Sequence, residues 1–242
     1  TVVVKLPKQA LASFGTSVIT YNMVTKPLYQ ALNTDKQTEE AVLRRGIVTA
    51  ERPRIVTPQF LSRAQGFGDE AQEFMRELIR RGQADDPGIL YTYSNTPGRM
   101  EIISSRPEDV ADRISRQIDS ESRPLEAVVL GVDELWDVSL MKFIFDLTNS
   151  SAPTNAADLA RSGRMEVSDG VPMDARLRIE ELLLQVRNGN VDPTLLHKEL
   201  EAWQLFDEYQ DQFFQVLRGK GHRLPRPPLR TDNSTRRSSA AG

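Results

Sequence analysis

After Pro193 the chain runs to Gly219 without another glycine or proline. That uninterrupted stretch constrains the fold more than any other, because it reads as one long helix. Asp192 supplies an N-cap, and Pro193 takes the first helical position, where a missing N–H is harmless. Gly219, beside Arg218, supplies the stop. About 25 residues at 1.5 Å rise make a helix of roughly 37 Å. Along it Leu196, Leu200, Trp203, Phe206, Phe213 and Leu217 recur at threes and fours as one apolar stripe. Leu195, Leu205, Phe214 and Val216 widen the stripe beyond what one short partner helix covers. A second helix, about Asp174 to Arg187, precedes it, and Asn188-Gly189-Asn190 has turn chemistry. A connection that short folds the two helices back as an antiparallel αα-hairpin.

The first part of the chain has strand character. Val2–Val4 and Ser17–Val24 are rich in β-branched residues. Leu125–Leu130, between Pro124 and Gly131, is an apolar run suited to a central strand. Ile89–Tyr93 and Arg99–Ile103 flank Ser94-Asn-Thr-Pro-Gly98, which reads as a β-hairpin with a five-residue loop. Residues 35–49 fit a helix or a strand pair equally. Ser105-Arg-Pro-Glu108 has the pattern of a capping box for a helix reaching about Asp119. From Asp133 a helix carries Leu135, Trp136, Leu140, Phe143, Ile144 and Leu147, and is expected to be largely buried. The polar stretch Asn149–Pro153 is the expected domain boundary.

Strands and helices do not alternate strictly. The fold class expected is α+β: a mixed or antiparallel sheet covered by helices, with a C-terminal antiparallel helical hairpin. The divisions expected are an α+β domain over 1–149, a helical region over 150–218, and a basic tail over 219–242 too rich in proline, serine and arginine to fold alone.

Composition excludes several function classes. There is no cysteine, so disulfides, thiolate metal sites and cysteine nucleophiles are absent. No run of eighteen apolar residues exists, so no membrane-spanning helix is expected. Thr1-Val-Val-Val-Lys5 has neither the charged nor the apolar region of a signal peptide, and a cytoplasmic protein with no membrane contact is expected. The two histidines, His197 and His222, leave no Ser-His-Asp arrangement with a nucleophile elbow. His197 with Glu201 reads as a solvated pair rather than half of a metal site. No metal site, cofactor or catalytic residue is assigned.

Charge points to partners. The tail from Arg218 onward holds seven Lys or Arg against Asp232 alone, on a chain of formal charge −3. The first expectation is a non-enzymatic interaction or scaffold protein. It would self-associate or dock a protein partner through Leu196, Leu200, Trp203, Phe206, Phe213 and Leu217. The alternative is a nucleic-acid-associated protein using Arg44, Arg45, Arg80 and Arg81 with Arg223, Arg226, Arg230, Arg236 and Arg237 of the tail. A third is a carboxylate-based, metal-dependent enzyme built on Asp133 and Asp137 or on Asp207, Glu208 and Asp211.

Overall fold

Alternation of side chains along five strands sets the frame of the first of two units, Thr1–Leu177 and Arg178–Gly242. The structure is a computed structural model and describes residues 2–29, 39–63 and 68–220. In sheet order the strands are β1 (Val2–Lys5), β7 (Glu126–Val132), β2 (Ser17–Lys26), β3 (Ala41–Ala50) and β6 (Tyr93–Ile103). β7 runs parallel to β2, and the other neighbouring pairs are antiparallel. The sheet is therefore mixed and the fold is α+β. Short pairs β4 (Arg54–Val56) with β5 (Gly88–Leu90), and β8 (Val167–Ser168) with β9 (Val171–Pro172), lie outside it.

Each face of the sheet is covered by one helix. Ile19, Tyr21 and Met23 of β2 point to one face, with Val48, Ala127 and Val129 beside them. There they meet Leu140, Phe143 and Leu147 of the helix Trp136–Arg161. Val24, Ala41, Leu43 and Val128 point to the other face and meet Val110, Ala111, Ile114 and Ile118 of the helix Pro107–Ser120. β7 is buried on both faces, which is why its sequence is a continuous apolar run. Counting the short helices Pro58–Leu61 (α1) and Asp69–Arg80 (α2), these two are α3 (Pro107–Ser120) and α4 (Trp136–Arg161). β6 and β7 point the same way, and α3 is the crossover between them.

Three expectations need correction. The first concerns Ser94–Gly98, which is not a hairpin loop. Tyr93–Ile103 is one strand paired along its length with β3. Pro97 is tolerated because β6 is an edge strand. The turn residues at 97–98 instead make a bulge, with the register shifting between Arg44 and Gly46. Gly98 is needed there, since a Cβ would lie 2.6 Å from the Arg45 carbonyl oxygen. β3 itself settles the ambiguity over residues 35–49 for the part described. Gly46 sits mid-strand, where the Tyr21 ring occupies the space a side chain would fill.

The second concerns the boundary at Asn149–Pro153. α4 passes through Pro153 unbroken, and the two units divide at Leu177/Arg178 instead. The polarity of this stretch has another cause. Ser151 Oγ accepts the Leu11 N–H at 3.0 Å, and Asn155 Nδ2 donates to the Leu11 carbonyl at 2.8 Å. Asn155 Nδ2 also reaches Ser13 Oγ, and its Oδ1 accepts from the Tyr91 hydroxyl. Both side chains are fully buried. They satisfy the backbone of the segment before β2, so α4 is polar here because it replaces a missing strand partner.

The third concerns the long helix. It is two helices, α6 (Pro193–Trp203) and α7 (Phe206–Lys220), with Gln204 left-handed at φ 57. The Gln204 N–H bonds the Glu201 carbonyl and the Leu205 N–H the Leu200 carbonyl, a Schellman closure without glycine. Asp192 does cap α6, accepting the Thr194 N–H at 2.7 Å. The hairpin expected before it is formed by α5 (Met173–Arg187) and α6. Arg178, early in α5, lies 3.7 Å from Glu199, late in α6, as antiparallel helices require. No helix among the described residues is long and apolar enough to cross a membrane.

Candidate functional site

α4 begins on a turn, Asp133–Leu135, at the end of β7. Its inward stripe is Leu140, Phe143, Leu147, Ser151, Asn155 and Leu159, spaced by threes and fours. At about 100° per residue, Val138, Met141 and Phe145 project from the side opposite that stripe. They are not polar, yet they are 55%, 65% and 64% exposed, and Leu135 before them is 53% exposed. The expectation of a largely buried helix is thus half met: α4 is apolar on two opposite sides and covered on one. A helix apolar all round normally has cover all round.

Charged residues border this outer face. Lys142 and Asp146 form an i,i+4 ion pair at 2.7 Å, and Asp137 lies one turn before Met141, on the rim opposite Lys142. At the head of the helix Asp133 accepts from the Thr25 hydroxyl at 2.7 Å and from Arg44 at 2.6 Å. Burial pushes the Asp133 carboxyl up, but the Thr25 hydroxyl, the Arg44 guanidinium and the Leu28 N–H together hold it below the ordinary carboxylate range. Arg44 also lies over the Trp136 ring, 5.9 Å from its centre. These contacts fix the angle at which α4 leaves the sheet.

The residues expected at an interface lie elsewhere. Leu196, Leu200, Trp203 and Phe213 are buried in the folded chain, while Phe206 and Leu217 are half-buried. Phe206 and Phe213 pack edge to face at 5.6 Å, and His197 stands 5.1 Å from Phe206. The stripe is the core of its own helical unit. Large apolar side chains exposed in this unit include Leu184, Leu195 and Phe214, of which Leu195 and Phe214 were expected to widen the stripe.

The arginines among the described residues do not gather. Arg44 is committed to Asp133. Arg45 donates to Asn22 at 3.2 Å and stands 3.7 Å from Glu101. Arg80 pairs with Glu73 and Glu77, and Arg81 with Glu77 at 2.9 Å. Arg223, Arg226, Arg230, Arg236 and Arg237 lie outside the described residues, as does the tail expected over 219–242 beyond Lys220. Among the described residues no three acids or histidines are grouped to hold a metal ion. Asp137 accepts the N–H of Val138, and Asp133 is engaged as above.

A cleft of about 230 Å³ lies at the C-terminal ends of β2 and β7, lined by Lys26, Glu39, Arg106 and Glu108 above Leu130 and Gly131. Its charges are balanced, and Arg106 lies 3.3 Å from Glu39. No protein-family model, no curated protein and no solved structure matches this chain.

Sequence reasoning misses the outer face of α4 because apolar density there reads as core. The signal was present: Val138, Met141 and Phe145 fall on the wrong side of the wheel from Leu140, Phe143 and Leu147.

Proposed function

We propose that this protein is an assembly module that pairs with a second copy of itself through the outer face of α4. The reading keeps the interaction class expected from the sequence and moves it to another surface. One observation carries it: Leu135, Val138, Met141 and Phe145 form an exposed apolar stripe on a helix whose other side is already core. Such patches mark contacts when rimmed by charge.

A second copy fits this face because an apolar stripe crossed on itself about a twofold axis covers the same side chains in both chains. Crossing two α4 helices antiparallel, centred between Val138 and Met141, brings Leu135 against the partner's Phe145. In that crossing Asp137 and Lys142 stand on opposite rims, and the Lys142–Asp146 ion pair stays within each chain. A twofold contact then closes over one apolar centre.

Light scattering on a sizing column tests this. The expected mass is that of a dimer or larger, unchanged at high salt because the centre is apolar. Phe145→Lys and Met141→Lys each lower that mass while leaving the thermal melt in place. A wild-type monomer, or a variant that keeps the wild-type mass, overturns the reading.

A further inference from the structure

The outer edge of the sheet, among the described residues, carries a second surface that complements itself. β6 is the outermost strand beside β3, and beyond the bulge at Gly98 and Arg99 its last four residues, Met100–Ile103, pair regularly with Ala41–Arg44 on the inner side. Met100 and Ile102 lie on one face and are 60% and 59% exposed. Arg99 and Glu101 lie on the other face, 3.3 Å apart. Glu101 also stands 3.7 Å from Arg45. Both contacts are loose and half-exposed, so the carboxylate keeps acceptor capacity for another guanidinium.

We propose that a second copy adds its own β6 antiparallel to this edge, about a twofold axis through Met100, to form one continuous ten-stranded sheet. Among the centres at Arg99, Met100 and Glu101, charge favours Met100. In a continuous antiparallel sheet, residues opposite each other share a face, so the axis within this stretch falls on a residue. Centred on Arg99, the pairing sets two arginines opposite each other, and centred on Glu101 it sets two glutamates opposite each other. Like charges in that position are destabilising. Centred on Met100, Arg99 faces the partner's Glu101, and the same pair recurs across the axis. Met100 then meets the partner's Met100, and Ile102 lies beside the partner's Gly98, where no side chain stands in its way.

The contact is bounded by the same residues that broke the expected hairpin. Pro97 has no N–H to offer a neighbouring strand, and the bulge turns the edge away. Pairing therefore stops after about five residues and does not propagate as an open edge would. The inference deepens the self-assembly reading and rests on it in one respect. With both twofold contacts formed the assembly is larger than a dimer, and that step alone needs the α4 contact.

The chain has no cysteine, so a single introduced thiol reports on one position alone. Met100→Cys, oxidised with copper phenanthroline, is expected to shift from monomer to a disulfide-linked dimer on a non-reducing gel. Val18→Cys, half-exposed on another strand, is expected to stay monomeric under the same treatment. Adding Arg99→Glu to Met100→Cys abolishes the shift, and adding Glu101→Arg as well restores it by exchanging the two charges. All of this is repeated with Phe145→Lys present, so that loss of the α4 contact does not remove the readout. Crosslinking of Met100→Cys that persists there, with rescue by the charge exchange, supports the edge contact whatever happens at α4. Crosslinking no faster than that of Val18→Cys, or no rescue, overturns it.

Discussion

α3 and α4 lie on opposite faces of one sheet and bury comparable stripes, but their outer sides differ. α3 turns Val110, Ala111, Ile114 and Ile118 inward and shows Glu108, Asp109, Asp112, Arg113 and Arg116 to solvent. Its sequence carries only what the fold requires. α4 turns Leu140, Phe143 and Leu147 inward with equal economy, then shows Val138, Met141 and Phe145 outward. Those three add nothing to the monomer's core. A helix that covers a sheet needs one apolar side, so a second such side is the mark of another surface to be covered.

The difference is sharpest at two phenylalanines two positions apart. Phe143→Ala should destabilise the fold by about 3–5 kcal/mol, because a fully buried ring leaves a cavity. Phe145→Ala should leave unfolding of the monomer within about 0.5 kcal/mol and lower the assembled mass instead. Urea denaturation of dilute samples checks both. Similar losses from the two variants would break the contrast between the inner and outer sides of α4.

A smaller effect is expected at the polar end of the same inner stripe. Asn155→Ala strands the Leu11 carbonyl and the Tyr91 hydroxyl away from water, which should cost about 1–3 kcal/mol. Thermal melting reads it. A neutral result would mean that α4 runs through 149–153 for some reason other than holding the segment before β2. The same network has an alkaline signature. Burial, with Tyr93 beside it, pushes the Tyr91 phenol up to about 12. A raised value means that the neutral phenol stabilises the fold below about pH 10 and that this contribution is lost as pH climbs toward 12. Tyr91→Phe should flatten that alkaline limb, and an unchanged limb would assign it to another group.

The smallest effect belongs to α3. Asp119, near its end, bonds Lys5 at 2.5 Å and Lys8 at 2.7 Å, which hold its carboxyl down at about 2. A lowered carboxyl stabilises the fold above its ordinary range and loses that contribution as pH falls from about 4 toward 2. Asp119→Asn should flatten the acid limb of stability against pH and leave the neutral value little changed, since the pair is exposed. A variant with the wild-type acid limb would show that the helix end is held by packing alone.

Much of the fold was legible where local chemistry and tertiary context agree. Leu125–Leu130 is apolar because β7 is central, and Asp192 caps α6 as its place before Pro193 implies. The misreadings share one cause, which is that a local signal served a distant partner. Pro97-Gly98 looks like a turn, but on an edge strand it makes a bulge against Arg45. Asn149–Pro153 looks like a linker, but Ser151 and the nearby Asn155 pair with Leu11 from the far end of the unit. Gln204 carries no sign of a helix end at all, because its left-handed conformation is imposed by closure onto Leu200 and Glu201. The expected interface at Leu196, Leu200, Trp203 and Phe213 failed as a surface for the opposite reason. Its periodicity was read correctly, but periodicity records that a stripe is covered, not by what.

The most direct test is the solution mass of the wild-type chain beside Phe145→Lys, by light scattering at low and high salt. The account expects an assembly in the wild type at both salt concentrations and a smaller species in the variant with an unchanged melt. A monomeric wild type, or a variant of equal mass, would contradict the claim that the outer face of α4 is where this protein meets its own copy.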